Sequence, residues 1–69
     1  MTFGEMLIML MEERGMTPTE LAHKSGVGKT TISELINGRT KEPTFSKAKA
    51  LADGLGVTLE DFARILESE

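Results

Sequence analysis

The chain has 69 residues and no cysteine, 39% of its residues are hydrophobic, and its formal charge at pH 7 is −3. That length allows one small domain, spanning residues 1–69, whose elements must be compact and mostly helical, with scarce room for a catalytic cleft. Without cysteine there are no disulfides, no thiolate chemistry and no cysteine-ligated zinc; no stretch reaches the roughly 18 apolar residues of a membrane span, and no basic region of a secretory signal opens the chain, so a soluble cytoplasmic protein is expected.

The opening stretch, MTFGEMLIMLMEERG, predicts a first helix from about Thr2 to Arg14 with Phe3, Leu7 and Leu10 as its inward stripe. Met6, Ile8, Met9 and Met11 exceed that stripe. Two readings follow: the methionines fill irregular gaps in a core, or the surplus apolar surface is a contact for a second copy or another protein. A helix lying on a membrane is disfavoured, because its polar side is acidic and anionic lipid would repel it.

MTPTEL carries the clearest helix start. Thr17 suits the N-cap, Pro18 suits the first position because its missing N–H would have been unpaired there, and Glu20 completes a capping box. Met16 and Leu21 have the spacing of a hydrophobic staple. A second helix is therefore predicted from Pro18 to about Lys24, stopped by Gly26. A third follows from about Lys29 to Ile36 and closes on Asn37-Gly38, a pair suited to the left-handed conformation. Residues 39–43 read as a loop. Thr44 then caps a fourth helix with Phe45, Ala48, Leu51, Ala52 and Leu55 at helical spacing, although Gly54 inside it costs about 1 kcal/mol relative to alanine. Gly56 ends that helix. Thr58 with Asp61 opens the last, with Leu59, Phe62, Ile65 and Leu66 inward.

Charge singles out the middle of this order. Residues 24–49 hold Lys24, Lys29, Arg39, Lys41, Lys47 and Lys49 against only Glu34 and Glu42, whereas both ends are acidic. An acidic chain treated as uniform is a poor ligand for a polyanion, but this basic segment is a candidate working surface. Gly28-Lys29-Thr30 within it matches the end of a phosphate-cradling loop. Such a loop needs another glycine five positions before Gly28, where His23 stands, and a preceding buried strand where a capped helix is predicted. Nucleotide binding is set aside on both grounds.

The alternative is a helix-turn-helix over residues 18–37. Small Ala22 lets two helices approach, Gly26 makes the sharp turn, and Ile32 and Leu35 pin the second helix to the core. At 100° per residue, Lys29, Thr30, Ser33, Glu34 and Asn37 fall within about a 140° arc on the opposite side. One face is core and the other is polar.

The ordered set TPTELAHKSGVGKTTISELINGRTKEP followed by ALADGLGVTLEDF resembles the phage repressor and Cro type of helix-turn-helix domain, the Xre-like family, over nearly the whole chain. The resemblance implies an all-α, compact five-helix bundle of the lambda-repressor-like type that binds double-stranded DNA in a sequence-specific way as a transcriptional regulator, with the second helix of the motif in the major groove. The base-reading positions it implies are Lys29, Thr30 and Glu34, with Ser33 beside them. Lysine donates to guanine O6 and N7, glutamate accepts from the cytosine amino group, and threonine bonds a base edge or touches the thymine methyl. Asn37, Arg39 and Lys41 would meet phosphates from the loop, and Thr17 and Thr19 would meet the backbone on the other side with the N-terminus of their helix. Family members commonly bind as dimers on half-sites about 34 Å apart.

Two departures stand out: Pro18 replaces the glutamine that relatives often use to clamp phosphate, and Gly28 replaces a serine or threonine cap. Glu34 and Glu42 also bring negative charge to the expected DNA surface, so affinity from phosphate contacts should be modest and steeply salt-dependent.

The remaining residues carry no chemistry of their own. His23 is a lone imidazole without the companions of a metal site, and Glu12-Glu13 and Glu60-Asp61 are sequence neighbours that point apart on a helix. No enzyme, catalytic residue, metal, cofactor or small-molecule substrate is expected. The competing function is a protein-binding module, natural or engineered on a repressor-like scaffold, that uses Met6, Ile8, Met9 and Met11.

Overall fold

Threonine decides where four of the five helices begin. The computed structural model describes residues 1–68 and holds α1 (Phe3–Glu13), α2 (Pro18–Ser25), α3 (Lys29–Ile36), α4 (Phe45–Leu55) and α5 (Leu59–Glu67), with no strand among the described residues. Thr2, Thr17, Thr44 and Thr58 are the N-caps of α1, α2, α4 and α5, each accepting from the backbone N–H three residues on. The boxes expected at Thr17–Glu20 and Thr58–Asp61 are reciprocal, with the carboxylates accepting from the cap N–H at 2.9 and 3.0 Å. Thr2–Glu5 is a third box of the same spacing, closed at 2.8 Å.

The helices pack as α1 on α3 and α5, α2 on α3 and α4, and α4 on α5. Leu7, Leu21, Ile32 and Leu51, one from each of the first four helices, are fully enclosed, and Phe62 of α5 meets Phe3 of α1 edge to face with ring centroids 5.3 Å apart. Such a pair adds about 0.5–1.5 kcal/mol to the area it buries. Arg14, just past α1, reaches across to α4: its Nε donates to the Leu55 carbonyl at 2.8 Å and its Nη1 to the Leu10 carbonyl at 3.2 Å. One guanidinium thus satisfies an orphan carbonyl at the end of α4 and one of its own helix.

Three expectations from the sequence need correcting. Met6 and Met11 are core residues, 0% and 4% exposed, and neither can form a partner surface while the fold is intact. The reason is that α1 is covered from two sides, by α3 and by α5, so its buried arc is wider than that of a surface helix. Phe45, expected inward, is 77% exposed. It stands at the first position of α4, ahead of the part of that helix where Leu51, Ala52 and Leu55 enter the core. Asn37 is not left-handed, with φ −87°, and Gly38 alone takes that conformation at φ +84°.

Both helical glycines in contact regions are close-approach sites. A Cβ on Gly4 would collide with the Leu35 carbonyl oxygen and lie 3.0 Å from Ile36 Cα, so the backbones of α1 and α3 touch. A Cβ on Gly54 would lie 2.9 Å from that of Ser25. The propensity cost expected at Gly54 is thus offset by the approach of α4 to the last turn of α2.

Candidate nucleic-acid interface

Between α2 and α3 the chain turns on Gly26, whose φ of +75° is left-handed and whose N–H donates to the Ala22 carbonyl at 2.9 Å. The next residue, Val27, donates its N–H to Ser25 Oγ at 3.1 Å and buries its side chain. The turn is therefore held by a polar bond on its outside and an apolar anchor on its inside, and Ala22 packs half-buried against the core as expected.

α3 divides as its periodicity predicts. Ile32 and Leu35 are 0% and 1% exposed, while Lys29, Thr30, Ser33 and Asn37 are exposed and Glu34 is half-buried. Lys29 has no ion-pair partner among the described residues. The start of α3 is open. Its N-cap is Gly28, with no side-chain bond and no acidic residue in the first turn. The ladder begins with Ile32 N–H to the Gly28 carbonyl at 3.1 Å, and the N–H groups of Lys29, Thr30 and Thr31 meet no acceptor among the described residues.

The start of α2 is closed. Thr17 Oγ1 accepts from the Glu20 N–H at 3.1 Å, Glu20 Oε1 accepts from the Thr17 N–H, and Pro18 has no donor. The Thr17 backbone N–H, and after it the Thr17 hydroxyl, hold the Glu20 carboxyl below its usual range. Of the first-turn donors, only the Thr19 N–H is left for an incoming anion, beside a carboxylate. Thr17 and Thr19 are both exposed.

The α3–α4 loop presents Asn37, Arg39 and Lys41, all exposed. Asn37 Oδ1 accepts from the Arg39 N–H at 3.0 Å, which shapes the turn and leaves the Asn37 amide nitrogen a donor without a partner among the described residues. Thr40 N–H donates to the Glu34 carbonyl at 3.1 Å and ties the loop back to α3. Arg39 and Lys41 form no ion pair among the described residues, whereas Lys49, also in the basic segment, is bound to both carboxylate oxygens of Asp53 at 3.0 Å. Lys24 of α2 and Lys47 of α4 are likewise outside any ion pair among the described residues, so α3 and its loop hold three of the five unpaired cations of the basic segment.

The expected base-reading set Lys29, Thr30, Ser33 and Glu34 is thus gathered on one face, and Asn37, Arg39 and Lys41 continue from its end. Of the apolar set on α1, only Ile8 and Met9 retain partial exposure. The sequence signal for the open start of α3 was the glycine at position 28; the loop tether through Thr40 has no side-chain signature, because it is made by the main chain.

A helix-turn-helix family model matches residues 7–62. The chain is also 41% identical over 59 residues to the HTH-type transcriptional repressor RghR of Bacillus subtilis (strain 168), a match that covers 86% of this chain but 44% of that protein. The five helices in this order, the glycine turn between α2 and α3, and the match across most of the chain agree: it belongs to the Xre-like helix-turn-helix family.

Proposed function

We propose that the chain binds double-stranded DNA with α3 in the major groove and regulates transcription. The observation that carries this is α3 itself: its back is locked by Ile32 and Leu35 while its front is polar, cationic at Lys29 and free of internal partners. A rigid helix with an unengaged polar face is what direct readout of base edges requires. The open N–H groups at its start add a positive field where bases or phosphates are met. The name of the RghR relative, a transcriptional repressor, supports regulation as the purpose of that binding.

Within this reading Lys29, Thr30, Ser33 and Glu34 read bases. Asn37, Arg39 and Lys41 position the domain through phosphates and carry no sequence information. Thr17 and Thr19 add neutral hydroxyls on the far strand, and the Glu20 carboxylate beside them keeps that contact weaker than the loop's.

The test is a pair of substitutions measured on a selected site and on mixed-sequence DNA. Lys29→Ala should lose about 1–3 kcal/mol on the selected site, whereas Lys41→Ala should weaken all sequences about equally and reduce the salt slope by about 1. Equal losses from both changes on random DNA would remove the case for base reading.

A further inference from the structure

We infer that Glu34 is the discriminating residue of α3: its carboxylate accepts from the exocyclic amino group of one base, cytosine above all, and penalises any duplex with no donor at that place. The inference rests on α3 lying in the major groove and says what that helix rejects as well as what it accepts.

Glu34 is an acid on the face that would meet a polyanion, and nothing in the helix neutralises it. Its one-turn neighbours are Thr30, Thr31, Asn37 and Gly38, none of them cationic. Lys29, the cation of the same face, is five positions away, about 140° around the axis and about 7.5 Å along it, on the other edge of the polar arc. The Glu34 side chain makes no hydrogen bond or ion pair among the described residues. Glu5, Glu20, Asp53 and Asp61, by contrast, are each occupied by a cap or a lysine.

The backbone at Glu34 is also held in place. The residue is half-buried at one edge of the arc, Leu35 beside it is locked in the core, and its own carbonyl accepts from the Thr40 N–H at 3.1 Å. A carboxylate carried into the groove on that backbone loses water, and the loss is repaid only by a donor within its reach. The cytosine N4 amino group is such a donor. Adenine N6 is a second, but adenine N7 beside it is an acceptor that faces the other carboxylate oxygen and repels it; guanine O6 and N7 and thymine O4 offer acceptors only. Lys29 supplies attraction at one edge of α3, and Glu34 supplies rejection at the other.

The experiment selects binding sites from a randomised duplex library at low salt with the wild-type chain, Glu34→Gln and Glu34→Ala, and measures affinity for mixed-sequence DNA beside it. Wild type should enrich a site with one position held as cytosine. Glu34→Gln, which keeps the shape and pairs with adenine N6 and N7, should move that position to adenine with about a tenfold change in preference, leaving the others as they were. Glu34→Ala should lose preference there altogether. Both variants should bind mixed DNA several-fold more tightly than wild type, and their melting temperatures should match it. A cytosine that stays preferred in Glu34→Gln, or an unchanged affinity for mixed DNA, overturns the inference while leaving α3 as the reading helix. Failure of the wild-type chain to bind any DNA at low salt would instead end the reading on which it rests.

Discussion

α2 and α3 are both eight residues long and lie on either side of one turn, yet they begin in opposite ways. α2 starts on a threonine cap, a proline and a carboxylate, and its first-turn donors are satisfied from within the chain except at Thr19. α3 starts on Gly28 and leaves three N–H groups to the solvent. A side-chain cap is worth a few tenths of a kcal/mol over glycine, so the chain forgoes a little stability at the start of α3 that it takes at four other helix starts. The contrast teaches that α3 is stabilised from behind, by Ile32, Leu35 and the contact of its last turn with Gly4, which frees its first turn for an external partner.

The largest break in this arrangement is to unseat α3 from behind. Gly4→Ala places a methyl against the Leu35 carbonyl and should destabilise the fold by about 1–3 kcal/mol, as overpacking does. For a domain this small that lowers the melting temperature by about 4–8 °C per kcal/mol. An unchanged melt would mean that the two backbones do not touch. DNA binding by the fraction that remains folded should be preserved.

Closing and opening the α2 start is a smaller change. Thr17→Ala should cost about 1 kcal/mol in thermal or urea unfolding. Acid acts on the same device. The folded-state pKa of Glu20 is depressed, so its contribution is present above about pH 4.3, the ordinary glutamate value, and is lost as pH falls through the folded value. Asp61, held low first by the Thr58 N–H and then by its hydroxyl, behaves alike at α5. Stability of the wild-type chain should therefore decline on acidification below that range, and less steeply in Glu20→Gln, which has no carboxylate to protonate but can still accept from the Thr17 N–H. Parallel pH profiles for the two proteins would show that the Glu20 charge at α2 contributes nothing.

The smallest effect on stability, with an opposite effect on binding, comes from giving α3 the cap it lacks. A Cβ at Gly28 would meet no atom within 4 Å, and φ −59° with ψ 144° is open to any residue. Gly28→Asp should stabilise the fold by a few tenths of a kcal/mol and weaken DNA binding several-fold at low salt, because its carboxylate takes the free N–H groups and opposes phosphate. If DNA affinity rises with stability, the start of α3 does not face the duplex.

Much of the molecule was legible before any coordinates, and the legible part is local. The caps at Thr17, Thr44 and Thr58, the turn at Gly26 and the bounds Lys29–Ile36 depend on hydrogen bonds spanning three or four residues, which adjacent side chains specify. The division of α3 into a core edge and a polar arc was legible too, since Ile32 and Leu35 leave only one way for an eight-residue helix to face. The candidate site was readable for that reason, together with a family resemblance that covers most of the chain. Its tether through Thr40 was not, because the main chain makes that bond and no side-chain pattern marks it.

Sequence alone, then, determined where each helix starts, where the chain turns between α2 and α3, and which side chains of α3 stay polar. Only the assembled fold decided that Met6 and Met11 are enclosed, that Phe45 stands outside, and that Gly4 and Gly54 are contact points between backbones. The physical reason is range: caps and turns are settled by groups a few residues apart, whereas burial depends on how many helices arrive on a given face, and α1, met by both α3 and α5, receives two.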